Sequence, residues 1–164
     1  MKDHERAVDA FVDACRRMPA DRWTAAGASG QWSPAEVVEH VRLSYALVPT
    51  SPGSSGGMVV ERSPVVAWIT RNVALRALLA LGVFPTGGRA PREVRPDRAQ
   101  ATAPPRDVAL AALRSEAERA VHVLVTAGRS SMRTTVSHAY FGPMSPGLTL
   151  QVVTAHTRHH ARRL

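Results

Sequence analysis

The chain is 164 residues long and basic, with 21 Lys and Arg residues against 13 Asp and Glu residues and a formal net charge of +8. That length suits a single domain with its own hydrophobic core. Hydrophobic residues make up 45% of the chain and aromatic residues only 5%, so the composition argues against an all-β fold and favours helices. The arginines are scattered from Arg6 to Arg163, which is typical of a solvated surface, and we expect no nucleic-acid partner.

Cysteine use and hydropathy indicate a cytoplasmic protein. Cys15 is the only cysteine, which excludes an intrachain disulfide and a CxxC motif. The charged N-terminal segment does not resemble a secretory signal. The most apolar stretch, from Pro64 to Phe84, contains Arg71 and Arg76, each of which would cost about 2.5–3.5 kcal/mol at the centre of a bilayer. We therefore predict a buried helix in this stretch and no membrane partner.

The first half of the chain contains three predicted helices. Apolar residues recur every three or four positions from about Asp3 to Met18, which predicts the first helix. A second helix begins after Ser33, which can form a capping box with Glu36, and runs to about residue 47. A third begins after Ser63, and Gly82 is well suited to end it.

Loops and two further helices account for the remainder. The segment from Thr50 to Gly57 is flexible by composition. The stretch from Pro85 to Pro105 is rich in Pro, Gly and Arg, and we expect an irregular crossover that lines a binding cleft. A fourth helix ends at Gly128, and the last runs from about Leu148 to Leu164. The predicted fold class is all-α: one domain over residues 1–164, an antiparallel helical bundle with one long crossover.

Three of the seven histidines lie in the last predicted helix, in the segment AHTRHHARRL. Side chains four positions apart share a helix face, so His156 and His160 can direct imidazole nitrogens towards one point. His156 and His159 are three positions apart and form the alternative pair. A helical wheel places His160 beside Val153 and Leu164, which favours His160, but the spacing leaves both pairs open.

A third metal ligand must come from another helix, and His40 is the candidate. It lies among Val37, Val41 and Ser44 on the face of the second helix that must point inward, where an unpaired imidazole would be costly. Three nitrogen donors on two facing helices suit Zn or Ni, with Fe or Mn as alternatives, and leave coordination positions open. A metal at such a site can lower the pKa of bound water towards about 7.

Both histidine signals also have an ordinary structural interpretation. A histidine on an apolar face is often a core residue with one hydrogen bond, and a basic helix end complements the helix dipole. His4, His122 and His138 show no metal-site spacing. His138 precedes the turn at Tyr140–Gly142, and we expect it on a surface loop, with a position at the mouth of the site as the alternative. Glu36 and Glu39 flank the predicted site, but neither is placed to be named as a general base, so the catalytic residues are unknown.

Two segments of the chain resemble the DinB-like superfamily, which includes YfiT-type metal-dependent hydrolases. They are QWSPAEVVEHV, at Gln31–Val41, and YFGPMSPGLTLQVVTAHTRHHARRL, at Tyr140–Leu164. The resemblance implies an up-down-down-up four-helix bundle that binds a divalent metal through one His late in the second helix and an H-x-x-x-H pair on the last. At the matching positions this chain has His40, His156 and His160.

The resemblance implies a metal-dependent activity, either hydrolysis or transfer of a low-molecular-weight thiol that the metal activates. The implied partner is a small-molecule substrate or thiol, and exposed helix faces of such a bundle can pair in a homodimer. One alternative is a non-catalytic bundle that binds a small ligand or a protein around a structural metal. A second is a basic nucleic-acid accessory protein. The sequence leaves these hypotheses, the substrate and the metal open.

Overall fold

The computed structural model describes residues 1–26, 31–82, 90–97, 103–130 and 133–164. Helices dominate these residues: α1 (Lys2–Arg17), α2 (Pro34–Ala46), α3 (Pro64–Ile69), α4 (Leu75–Leu81), α5 (Arg106–Arg129) and α6 (Pro146–Ala161). A π-helical turn, Thr70–Ala74, joins α3 to α4, so residues 64–81 form one helical segment. Short 3-10 turns lie at Ala20–Arg22 and Arg92–Val94. The mostly helical fold is confirmed, whereas the up-down-down-up order stays a prediction.

A small three-stranded sheet departs from the predicted all-α class. β1 (Ser55–Gly57) pairs in parallel with β2 (Thr135–His138), and β2 pairs antiparallel with β3 (Gly142–Met144). β1 lies within the segment predicted to be a flexible loop. Gly57 has a φ of 109°, and a Cβ at this position would collide with the backbone of Ser137. Glycine at position 57 therefore lets β1 lie against β2. The glycines that led us to predict a flexible loop here instead allow two strands to approach closely.

Serine caps begin both helices that carry the candidate metal ligands. Ser33 Oγ accepts a hydrogen bond from the backbone N–H of Glu36, and the Glu36 carboxylate accepts one from the Ser33 N–H at 2.6 Å. The predicted capping box is therefore confirmed. Ser145 Oγ accepts a hydrogen bond from the Leu148 N–H, and Pro146 occupies the first position of α6. Because a proline suits that first position, α6 begins two residues before the predicted start.

The main core lies between α1, α2, α5 and α6. α1 packs chiefly on α6 and α2 on α5, and α5 also contacts α6. The apolar face predicted for α1 is confirmed, since Phe11, Val12 and Cys15 are fully buried. Burial raises the pKa of the Cys15 thiol to about 12, so this thiol is a core side chain and not a nucleophile.

The prediction that the apolar stretch forms a buried helix is wrong. Within the helical segment 64–81, only Ala67 and Leu75 are buried. The large apolar side chains that it exposes are Val65, Val66, Trp68, Ile69, Val73 and Leu81. By length and composition alone this segment could cross a membrane, and 11% of it is buried. Gly82 ends it in the left-handed conformation, as predicted, and residues 83–84 lie outside the described part of the chain.

Two contacts dock the segment 64–81 on the β2–β3 hairpin. Leu75 is fully buried and packs with Phe141 and Met144. Arg71 Nη1 donates hydrogen bonds to the carbonyl oxygens of Phe141, at 3.2 Å, and Pro143, at 2.6 Å. These contacts hold the segment beside a cavity to whose wall it contributes Thr70, Ala74 and Leu78.

Arg119 ties α5 to the end of α2. Its guanidinium donates hydrogen bonds to the backbone carbonyls of Tyr45, Val48 and Pro49 at 3.0–3.1 Å, and it forms an ion pair with Glu116. The last carbonyls of a helix have no partner within the helix. Arg119 therefore satisfies acceptors at the point where α2 ends and the chain turns towards β1.

We expect Arg119→Met to lower the free energy of unfolding by about 2 kcal/mol, because hydrogen bonds from a charged donor to three carbonyls are lost. Urea unfolding followed by circular dichroism measures the change. Arg114→Met is the matched control, since the half-buried Arg114 makes one ion pair with the exposed Asp9, and ion pairs at the surface contribute about 0–1 kcal/mol. Equal losses in the two variants would contradict this role for Arg119.

Candidate metal centre

The structure brings together the three histidines that the sequence singles out. His40 Nε2 lies 3.1 Å from His156 Nε2, which lies 3.1 Å from His160 Nε2. One ring nitrogen of each lies within 4.8 Å of the others. His156 and His160 are one turn apart on α6, as their spacing predicts. His40 reaches them because α2 packs against α6.

His159 is not part of this cluster. Its ring meets that of His160 edge-on, with the centroids 5.3 Å apart, and it lines the neighbouring cavity. Of the two pairs that the spacing leaves open, the geometry therefore brings His156 and His160, and not His159, to His40. That these three residues ligate a metal stays a prediction.

A backbone carbonyl determines which nitrogen of His40 carries the proton. His40 Nδ1 lies 2.7 Å from the carbonyl oxygen of Val94. A carbonyl oxygen can only accept, so Nδ1 donates and Nε2 presents its lone pair towards His156. Metal-ligating histidines typically donate their other ring N–H to a carbonyl or carboxylate in this way.

The spacing of the nitrogens fits a bound metal ion. Nitrogen ligands about 2.0–2.1 Å from a tetrahedral metal lie about 3.3 Å from one another, and the Nε2 atoms here are 3.1 Å apart in each contact. Because His40 Nε2 carries no proton, at most one of the two contacts of His156 can be an ordinary hydrogen bond while the rings are neutral. A cation would bind all three lone pairs, so the donor set fits a divalent metal.

Burial keeps the three rings neutral, which is the form that binds a metal. Burial lowers the pKa of His40. It also lowers the pKa of His160 to about 3, and repulsion from positive charge on the neighbouring His40, His159 and Arg163 would oppose protonation of His160 further. The pKa of His156 is held well below its ordinary value, first by burial and then by the charges of His160 and His40. No proton must therefore be removed from these rings before a metal binds at neutral pH.

The three histidines form part of the wall of a cavity of about 810 Å³, a size typical of small-molecule sites. Its lining is mostly apolar and includes Trp32, Leu47, Met58, Leu78, Val94, Val136, Phe141, Met144 and Val152. Among the described lining residues the charged ones are Arg95 and Arg163, and none is Asp or Glu. Four residues of the predicted crossover line this cavity as expected, namely Ala90, Pro91, Val94 and Arg95. Residues 85–89 and 98–102 lie outside the described part of the chain.

The structure also corrects the expectation for His138. It lies half-buried at the end of β2 and lines the cavity, instead of lying on a surface loop. The sequence offers this position only as the less favoured alternative, from the turn that follows His138, because the hairpin that carries it has no clear strand pattern. Trp32, whose ring centroid lies 4.8 Å from that of His40, could have been found, since it directly precedes the cap of α2.

A layer of buried polar side chains holds α6 on the side that faces α1. The Tyr45 hydroxyl lies 2.6 Å from Thr157 Oγ1, and His4 Nδ1 lies 2.9 Å from Thr154 Oγ1. Each threonine hydroxyl also donates to a carbonyl one turn earlier in α6, so each accepts from its partner. Because Thr154 and Thr157 flank His156 in sequence, this layer fixes the turn of α6 that carries the candidate ligand.

A family model described as the DinB superfamily matches residues 65–164. The chain belongs to the DinB superfamily. Metal binding is known in this superfamily, and the match includes His156 and His160. His40 precedes the matched residues. Its assignment to the candidate metal site of this DinB-superfamily protein therefore rests on the geometry of the three histidines and not on the family match. No curated protein and no solved structure matches the chain.

We expect the metal-free protein to lose stability as the pH falls from about 6.5 to about 4. Burial lowers the pKa of His4 from 6.5 to about 4. The unfolded chain therefore binds more protons than the folded protein in this window, and the contribution of His4 is lost as the pH falls through it. That shift corresponds to a loss on the order of 3 kcal/mol.

Urea unfolding between about pH 4.5 and 7.5 measures this loss, and His4→Leu should make the dependence on pH shallower. The hydrogen bond to Thr154 that the variant loses lowers stability at every pH, so the slope is the informative quantity. An unchanged slope in His4→Leu would show that His4 is not a cause of the acid sensitivity.

Proposed function

We propose that this DinB-superfamily chain is a divalent-metal protein that acts on a small molecule in the cavity beside His40, His156 and His160. The observation that carries the proposal is the convergence of three Nε2 atoms at the wall of an apolar cavity of about 810 Å³. Three protein ligands leave a coordination position for a further ligand, whereas structural zinc sites usually have four. Zn or Ni suits the nitrogen donors best, with Fe or Mn as alternatives.

The residues around the site favour a thiol over water as the nucleophile. A bound metal supplies Lewis-acid activation, which lowers the pKa of a thiol or water that binds it. No carboxylate lines the described part of the cavity, so no Asp or Glu stands there to take a proton from water. A low-molecular-weight thiol has an ordinary pKa of about 8.5 and needs less help to ionise. We therefore favour thiol transfer over hydrolysis as the reaction.

The chain itself would orient the ligands and exclude water. The Val94 carbonyl holds His40 with its Nε2 lone pair directed towards His156, and the Trp32 ring lies against the His40 ring. The apolar lining would bind the apolar body of a substrate and keep bulk water away from the reacting group. Arg163 lies near His160, where it would stabilise negative charge that develops beside the metal.

We expect tag-free protein to bind one Zn²⁺ or Co²⁺ ion, and His40→Ala and His160→Ala each to weaken binding at least about tenfold, because each removes one nitrogen donor. Elemental analysis and titration with Co²⁺ followed by its absorption spectrum measure the effect. His159→Ala is the matched control on the same helix and should bind within about twofold of the parent.

The metal proposal fails if tag-free protein contains no stoichiometric Zn, Ni, Fe or Mn and added metal does not raise its melting temperature. If His159→Ala lost metal binding while His160→Ala kept it, His159 and not His160 would be the third ligand. Binding that survives His40→Ala would remove His40 from the site.

Addition of a low-molecular-weight thiol, such as cysteine, to Co²⁺-loaded protein should produce a sulfur-to-cobalt charge-transfer band, because the proposed site has an open coordination position and no carboxylate nearby. His40→Ala is expected to abolish the band. A Co²⁺ spectrum typical of a site with four protein ligands, unchanged by added thiol, would favour a structural metal and a non-catalytic bundle. Ester hydrolysis without any response to thiols would favour a hydrolase.

A further inference from the structure

His138 is a histidine of the cavity that does not belong to the candidate metal cluster. It is the last residue of β2 and lines the same cavity as His40, His156 and His160. Its ring stacks on Phe141, with the centroids 4.4 Å apart and the ring planes 25° apart. The strand and the stacked ring together restrict where the imidazole can point.

The backbone determines the tautomer of His138. The Tyr140 N–H donates a hydrogen bond to His138 Nδ1 at 3.2 Å, and a backbone N–H can only donate. Nδ1 is therefore the acceptor, and the proton of the neutral ring lies on Nε2. Burial holds the ring neutral by lowering its pKa to about 4.

The Nε2–H of His138 is available to a ligand in the cavity. Among the described residues no hydrogen bond is made to this atom. The atom is also accessible to solvent. Among the described residues, the side-chain nitrogen that is both fully buried and without a hydrogen-bond partner is Nε2 of His4, and not Nε2 of His138. A donor that is held in place, has no partner and borders a cavity is ready to bind an acceptor atom of a ligand.

His138 and His40 present opposite polarity to the same space. His40 donates through Nδ1 to a carbonyl and presents a lone pair, whereas His138 accepts through Nδ1 and presents an N–H. The lone pair suits a cation, and the N–H suits an oxygen acceptor. Because the described lining contains Arg95 and Arg163 but no Asp or Glu, the cavity favours a ligand that carries negative charge.

We propose that His138 is a substrate-positioning residue whose Nε2–H donates a hydrogen bond to the carboxylate of a small organic acid with an apolar body. The apolar lining provides the surface for that body, and the arginines complement the charge. The assignment rests on the proposed function for the reaction that follows, but the binding step needs only the residues described here.

The test measures binding of 4-phenylbutyrate and of its neutral amide, by calorimetry, to the metal-free and the zinc-loaded protein. The parent should bind the carboxylate at least about tenfold more tightly than the amide in both forms, since hydrogen bonds to a charged group are the stronger ones. His138→Asn should weaken carboxylate binding about tenfold and change amide binding by less than about threefold.

His138→Asn is informative because an Asn side chain can still accept from the Tyr140 N–H while it lacks a donor at the position of Nε2. His138→Gln, whose amide reaches further and can donate into the cavity, should recover part of the affinity. His122→Asn is the matched control, because His122 is an exposed histidine on α5 that does not line this cavity. If His138→Asn does not fold, the comparison between the parent, the Gln variant and His138→Phe replaces it.

Equal carboxylate affinity in the parent and His138→Asn would overturn the proposal, as would an amide that binds as tightly as the carboxylate. Absence of carboxylate binding to the parent at millimolar concentration would also overturn it. Failure of the metal proposal gives a different result: zinc would not bind, while the metal-free protein would still select the carboxylate in a way that depends on His138.

Discussion

The convergence of three imidazole nitrogens in one place is the constraint on which the rest of the structure depends. His156 Nε2 lies 3.1 Å from the Nε2 atoms of both His40 and His160, and neutral rings cannot satisfy both contacts by hydrogen bonds, so the rings stay together only if the surrounding structure holds them. On one side the Val94 carbonyl holds His40, and on the other Tyr45 and His4 hold the turn of α6 that carries His156. The site is thus maintained by polar contacts from Val94, from His4 on α1 and from Tyr45 on α2 itself.

The cavity depends on elements that lie outside the four long helices. The helical segment 64–81 and the β2–β3 hairpin supply much of its wall, and Arg71 and Leu75 join these two elements. One side of the segment makes this contact through Leu75 and Arg71, and the other side exposes large apolar side chains, including Trp68, to solvent. The hairpin also delivers His138 to the cavity, so the cavity receives lone pairs from two helices and an N–H donor from a strand.

Short-range signals made much of the helical framework predictable. Capping at Ser33 and the periodic apolar residues of α1 depend on groups within a few positions of each other, so the sequence contains the whole interaction. The same holds for the approach of two histidines on one side of α6, which is a property of one helix, although the spacing leaves open whether His159 or His160 pairs with His156. The segment 64–81 shows the limit of this reasoning, because hydropathy reports that side chains are apolar and does not report what they contact.

The sequence alone determined the approximate positions of the helices, the caps at Ser33 and Ser63 and the presence of histidines that can share one side of α6, because backbone geometry relates residues three or four positions apart. Only the tertiary structure decided that His40 and His160 meet at His156, and that His159 lies outside the cluster, since the α2–α6 contact selects one face of each helix. It also decided that Gly57 admits a strand and that His138 borders the cavity. These outcomes depend on contacts between residues about 80 or more positions apart, which no local pattern specifies.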